Sequence, residues 1–131
     1  LSAAPRGDPT LARRLPQPDD PNVPLADAAR AYLHTNCAGC HRPNGGPQAE
    51  MDLRFATALP ATGVCDAVPQ LGDLGLANAR IVAPGSPDRS VLLARMSRRD
   101  GQAMPPVASH IVDANGVELV RKWIASLAGC Q

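Results

Sequence analysis

Three stretches of the chain carry apolar positions at helical spacing, and the segments between them carry prolines and glycines. From Leu25 to about Asn36, the residues Leu25, Ala28, Ala29, Tyr32 and Leu33 recur every three or four positions, the repeat of one helix face. Asp27 falls in the first turn, where its charge suits the helix dipole. Ser86-Pro87-Asp88 predicts a second helix start: serine as cap, proline at the first helical position, aspartate at the positive end. That helix should run through Val91, Leu92, Ala94, Arg95 and Met96 to about Arg98, with Val91, Leu92 and Met96 on its apolar face. Asp113 predicts the cap of a third helix that runs to about Ala128 and stops at Gly129. Val117, Val120, Ile124 and Leu127 form its stripe, bordered by Trp123. No stretch reads as an amphipathic strand or an internal repeat, so the pattern predicts an all-α domain over residues 25–131.

Between these helices the chain is punctuated. Residues 1–24 contain Pro5, Pro9, Pro16, Pro18, Pro21 and Pro24, which reads as a linker or an N-terminal arm, with one possible helical turn at Leu11–Leu15. Arg42-Pro43-Asn44-Gly45-Gly46-Pro47 is a loop whose glycines let backbone approach closely. A short helical turn is expected within Met51–Leu59, around Leu53 and Phe55. Residues 60–79 read as loop, with Ile81-Val82-Ala83 as a short apolar run after it. Gly101–Pro106 forms another loop, before the last helix.

Composition narrows the function classes. The 131 residues suggest one domain, and 44% are hydrophobic, yet the aromatics are only Tyr32, Phe55 and Trp123. A chain so short of large apolar side chains gains core volume if it wraps a bulky cofactor. A net charge of +1 argues against nucleic acid or an anionic membrane surface as the main partner. No apolar run approaches a transmembrane span. The 131 residues contain no signal-peptide pattern and begin with Leu1 rather than methionine, which reads as a mature protein or an excised domain.

The chemistry concentrates in Cys37-Ala38-Gly39-Cys40-His41, the attachment pattern of c-type haem. Two thiols at this spacing add across the two vinyl groups of one porphyrin, and the adjacent His41 imidazole rises to the iron from the tethered side. A zinc site would call for a second pair of ligands at short spacing, and Cys65, Cys130, His34 and His110 each stand alone. A redox dithiol normally follows a strand in a βαβ unit, and none precedes Cys37. Such haem attachment takes place outside the cytoplasm, where disulfides persist, so Cys65 and Cys130 are expected to bond; two separate buried thiols are the alternative.

A six-coordinate haem needs a ligand opposite His41, and the candidates are Met51, Met96, Met104, His34 and His110. Met104 is best placed, in a loop stiffened by Pro105 and Pro106. Met96 lies on a helical apolar stripe, the usual place of core methionine, and Met51 follows the haem turn too closely to reach the far face easily. His110 suits a capping or haem-edge role, and His34 lies one turn before Cys37 on the same helix. Arg42, Arg98 and Arg99 are candidate partners of the haem propionates, with solvated arginines as the plainer reading.

A helix leading into Cys-X-X-Cys-His, a downstream Met-Pro loop and a C-terminal helix together resemble the class I c-type cytochromes over roughly residues 25–128. Ala31-Tyr-Leu-His-Thr-Asn-Cys37, Met51-Asp-Leu-Arg54, the run Val82–Ser90 and Met104-Pro-Pro106 look like a bacterial domain often appended to periplasmic quinoprotein (pyrroloquinoline quinone) dehydrogenases. The stretch from Pro43 to Ile81 is longer than in the smallest class I members. The resemblance implies a cytochrome c-like fold, three or more helices and long loops around one covalent haem c. It implies Cys37 and Cys40 as thioether residues, His41 as proximal iron ligand and Met104 as distal ligand. The expected function is electron transport, not catalysis, by a periplasmic, monomeric domain that accepts electrons from a fused dehydrogenase or a redox partner protein. The alternative is a haem enzyme or gas-binding sensor with an open distal site.

Overall fold

The computed structural model describes residues 15–45, 50–104 and 112–131. It contains three α-helices, α1 (Leu25–Cys37), α2 (Val91–Met96) and α3 (Ala114–Ser126), and two 3-10 turns at Leu59–Ala61 and Pro87–Arg89. Among the described residues no strand forms, and the β-type pairing is two isolated parallel bridges, Cys65 with Val82 and Arg80 with Ser90. The helical class read from the apolar pattern is the class observed. Residues 1–14, Gly46, Pro47, Pro105, Pro106 and His110 lie outside the described residues. Of the proline-rich arm, residues 17–23 fold into successive turns, in which Asp20 N–H donates to Gln17 O and Val23 N–H to Asp20 O.

Both α1 and α2 pack on α3. Leu33 of α1, Leu93 and Met96 of α2, and Val120, Trp123 and Ile124 of α3 meet Val64 and Val82 from the intervening loops in one buried cluster. Each large side chain so enclosed contributes about 1.5–3 kcal/mol. Trp123 is 1% exposed, so it lies at the centre of the α3 face rather than on its border. The Cys65–Cys130 bond is present and ties the loop before Val82 to the tail beyond α3.

The second helix departs from the expected single run. The chain makes a 3-10 turn at Pro87–Arg89, Ser90 extends, and α2 spans only Val91–Met96. The interruption is tertiary: Arg80 N–H donates to Arg89 O and Val91 N–H donates to Arg80 O, so the chain around Ser90 pairs sideways with Arg80. Ser86 makes no side-chain cap. The buried Ser90 hydroxyl stitches the turn instead, donating to Ser86 O and accepting Ala83 N–H. Around Phe55 the chain makes a single turn, closed by Thr57 N–H to Arg54 O, while Leu53 stays outside it; the first 3-10 turn falls later, and α3 stops at Ser126 with Leu127 extended. No described helix is long and apolar enough to cross a membrane.

Asp113 caps α3 as expected, accepting Gly116 N–H at 3.0 Å. It also accepts the Tyr32 hydroxyl of α1 at 2.8 Å. The Gly116 N–H first, then the Tyr32 hydroxyl, hold the Asp113 carboxyl below the usual carboxylate range. A carboxyl depressed on folding adds stability above its unfolded pKa, near 3.9, that is lost as pH falls through the folded value. Asp113→Asn keeps a good cap but has no charge to lose. The thermal midpoint of Asp113→Asn should therefore fall less than the parent's between pH 5 and pH 3; equal falls in scanning calorimetry would refute this role.

Candidate functional site

The Cys37–His41 segment is the C-terminal end of α1 and the turn that follows it. Cys37 closes the helix and Ala38, still right-handed, caps it by donating to His34 O. The Cys37 carbonyl then accepts both Cys40 N–H (3.2 Å) and His41 N–H (2.8 Å), and Arg42 N–H donates to Cys40 O. This winds the two thiols and the imidazole into one tight turn. Gly45 closes it against the backbone, for an added Cβ would overlap Cys40 O and lie 2.9 Å from Arg42 Cγ.

Cys37 is half-buried against the core, Cys40 is exposed, and both thiols are free. Burial, with Cys40 beside it, pushes the Cys37 thiol up to about 11. The pair sits at a helix C-terminus, where the dipole does not favour a thiolate as a helix N-terminus would. Among the described residues no group of three or more His, Cys, Asp or Glu side chains is placed to hold a metal ion.

His41 is half-buried, and its Nδ1 is enclosed without a hydrogen-bond partner. Burial holds its pKa below the ordinary histidine value, favouring the neutral imidazole that binds metals. The His41 carbonyl accepts Leu53 N–H at 2.8 Å, which joins the turn to a strap over residues 52–57. Asp52 organises that strap by accepting Arg54 N–H, the Arg54 guanidinium and the Thr57 hydroxyl. The Arg54 guanidinium contributes most to holding the Asp52 carboxyl well below the usual range. Leu53, 2% exposed, plugs into the core between them.

The residues proposed for the far side of the iron are distributed. Met104 is half-buried in a separate loop hung from α2, its N–H donating to Arg95 O. Asp100 shapes that loop, accepting Gln102 N–H and a bidentate Arg98, while Arg95 Nη1 donates to Gln102 O. Among the described residues no hydrogen bond joins Met104 to the His41 turn. Met96 is buried in the main cluster as a core side chain, and Met51 packs against it. His34 accepts Phe55 N–H at Nδ1. Of the basic residues, Arg42 is exposed, Arg98 is paired with Asp100, and Arg99 Nη2 donates to Met96 O. An open recess of about 570 Å³ lies along residues 68–79, and no residue of the Cys37–His41 turn lines it.

The strap and its anchors are what sequence reasoning missed. Arg30 donates through Nη2 to the carbonyls of Arg54 and Thr57, although it is only 9% exposed. One signal was readable: an arginine flanked by Ala29 and Ala31, four residues before His34 on the same helix face. Comparison with protein-family models, with curated proteins and with solved structures finds no match.

Proposed function

We propose that the chain is an electron-transfer domain of the class I cytochrome c type, holding one covalent haem c. The observation that carries this reading is the turn after α1, where the Cys37 carbonyl accepts Cys40 N–H and His41 N–H and so gathers two free thiols and one imidazole within five residues. Two free thiols beside an imidazole suit thioether attachment at two corners of a macrocycle and ligation from its centre. The enclosed, unpartnered Nδ1 leaves Nε2 as the nitrogen for the iron. Met104, from the loop beyond α2, is the proposed distal ligand. The haem iron would cycle between ferric and ferrous, carrying one electron at a time. His41 holds and orients it, and a thioether at Met104 favours the ferrous form relative to a second histidine. The scarcity of large apolar side chains and the Cys65–Cys130 bond agree with a cofactor-filled core and an oxidising compartment, proposed as the periplasm. A quinoprotein dehydrogenase, fused or separate, is the proposed electron donor.

The test is expression with the c-type haem maturation machinery. The purified chain should gain the mass of one haem, retained after denaturation, and Cys37→Ala/Cys40→Ala should gain none. Met104→Ala should retain the haem but become high spin when ferric and bind carbon monoxide rapidly when ferrous. A parent protein already high spin and open to carbon monoxide would support the open-site enzyme or sensor instead. A chain that takes up no haem would refute the proposal altogether.

A further inference from the structure

Arg30 and His34 lie four residues apart on α1, and so on one face of it. Both reach the same short strap. His34 Nδ1 accepts Phe55 N–H at 2.9 Å, and Arg30 Nη2 donates to Arg54 O at 3.0 Å and to Thr57 O. These contacts bridge 21 to 27 residues of chain. Between and around them the strap is cross-linked: Asp52 ties its two ends through Arg54 and Thr57, and Leu53 is buried in the core. At its other edge Leu53 N–H holds the carbonyl of His41.

The route from α1 to the imidazole therefore runs twice. One branch is covalent, through Cys37 and the turn. The other passes from the Arg30–His34 face through the strap to the His41 backbone. A buried guanidinium with Nε unpartnered is costly, and α1 carries it where alanine or leucine would bury at no such cost. Resting on the haem reading above, we propose that Arg30 and His34 are positioning residues for His41, fixing through the strap the direction in which its imidazole meets the iron. Such outer contacts to an axial ligand tune iron chemistry without touching the iron. Neither side chain needs to contact the cofactor.

The experiment compares His34→Leu, His34→Asn and Arg30→Lys in haem-loaded protein, by ferric electron paramagnetic resonance and by reduction potential. His34→Leu removes the acceptor for Phe55 N–H and should alter the g values, which report axial-ligand orientation. It should also shift the reduction equilibrium up to about tenfold, equivalent to about 59 mV for one electron. His34→Asn places an amide oxygen near the lost Nδ1 and should restore both. Arg30→Lys ends one bond short of the Nη2 that donates to both carbonyls and should shift both readouts in its own right; it decides the matter where His34→Leu does not fold. Val117→Ala trims a half-buried side chain on α3 and controls for lost stability alone, with g values and potential unmoved. Unchanged g values and potential in the His34 and Arg30 variants, with haem attached, would overturn the inference and leave the haem reading standing. A parent chain without haem overturns both.

Discussion

Opening the Cys65–Cys130 bond is expected to lower the stability of the domain by about 4 kcal/mol, the chain-entropy value for a closed loop of this length. The bond spans a sequence separation of 65, which includes all of α2 and α3. Its anchors are firm on one side, for the chain flanking Cys65 is held by Asp66 N–H to Val82 O and Val82 N–H to Val64 O. On the other side Cys130 lies beyond the end of α3, on a tail with little regular structure. The effect therefore acts on the unfolded ensemble more than on native contacts. Against the 5–15 kcal/mol total of an ordinary domain, the loss is a large fraction. Urea unfolding with and without reductant measures it: the midpoint should fall, and Cys65→Ser/Cys130→Ser should match the reduced parent. A midpoint that does not move on verified reduction would mean that native strain cancels the entropy gain.

Gly116→Ala is expected to destabilise the protein, against the sign that helix propensity alone assigns. Glycine inside a helix costs about 1 kcal/mol relative to alanine, so α3 considered by itself would gain from the change. In the folded chain the Tyr32 ring of α1 lies over Gly116; an added Cβ would overlap Cζ and Oη and approach Cε2 to 2.5 Å. Tyr32 cannot simply swing away, because its hydroxyl is bonded to Asp113 at the start of α3. Relief requires α1 and α3 to separate or the ring to leave its site, and overpacking of this kind typically costs roughly 1–3 kcal/mol. The double-mutant cycle with Tyr32→Ala isolates the contact. In that background Gly116→Ala should be neutral or stabilising by up to about 1 kcal/mol. Loss of stability from Gly116→Ala with Tyr32 already removed would place the cause elsewhere.

These two cases divide along the same line as the fold. Periodicity located α1 within a residue of its observed end, because most of the face it buries (Ala28, Ala29 and Leu33) repeats at helical spacing. It misplaced the second helix, because the signal at Ser86-Pro87-Asp88 is local, whereas the break at Ser90 comes from Arg80 pairing alongside. The same limit applies at the candidate site. Cys37, Cys40 and His41 are brought together by covalent spacing and one turn of chain, which a linear motif encodes completely. The strap that holds His41 depends on Arg30 and His34 meeting Phe55 and Thr57, and the one local sign, an arginine between Ala29 and Ala31, does not say which distant segment it meets.

By itself, then, the sequence determined the helical class, the limits of α1, the Asp113 cap and the closeness of Cys37, Cys40 and His41 along the chain. It also left Cys65 and Cys130 as the remaining pair to join. All of these rest on interactions within a few residues, or on counting. Only the tertiary structure decided that Arg30 is buried, that Trp123 is central, that Gly116 has no room for a methyl, and that α2 is short. Each of those depends on which side chain from a distant segment fills the neighbouring space. That is set when α1 and α2 close on α3, not when any helix forms.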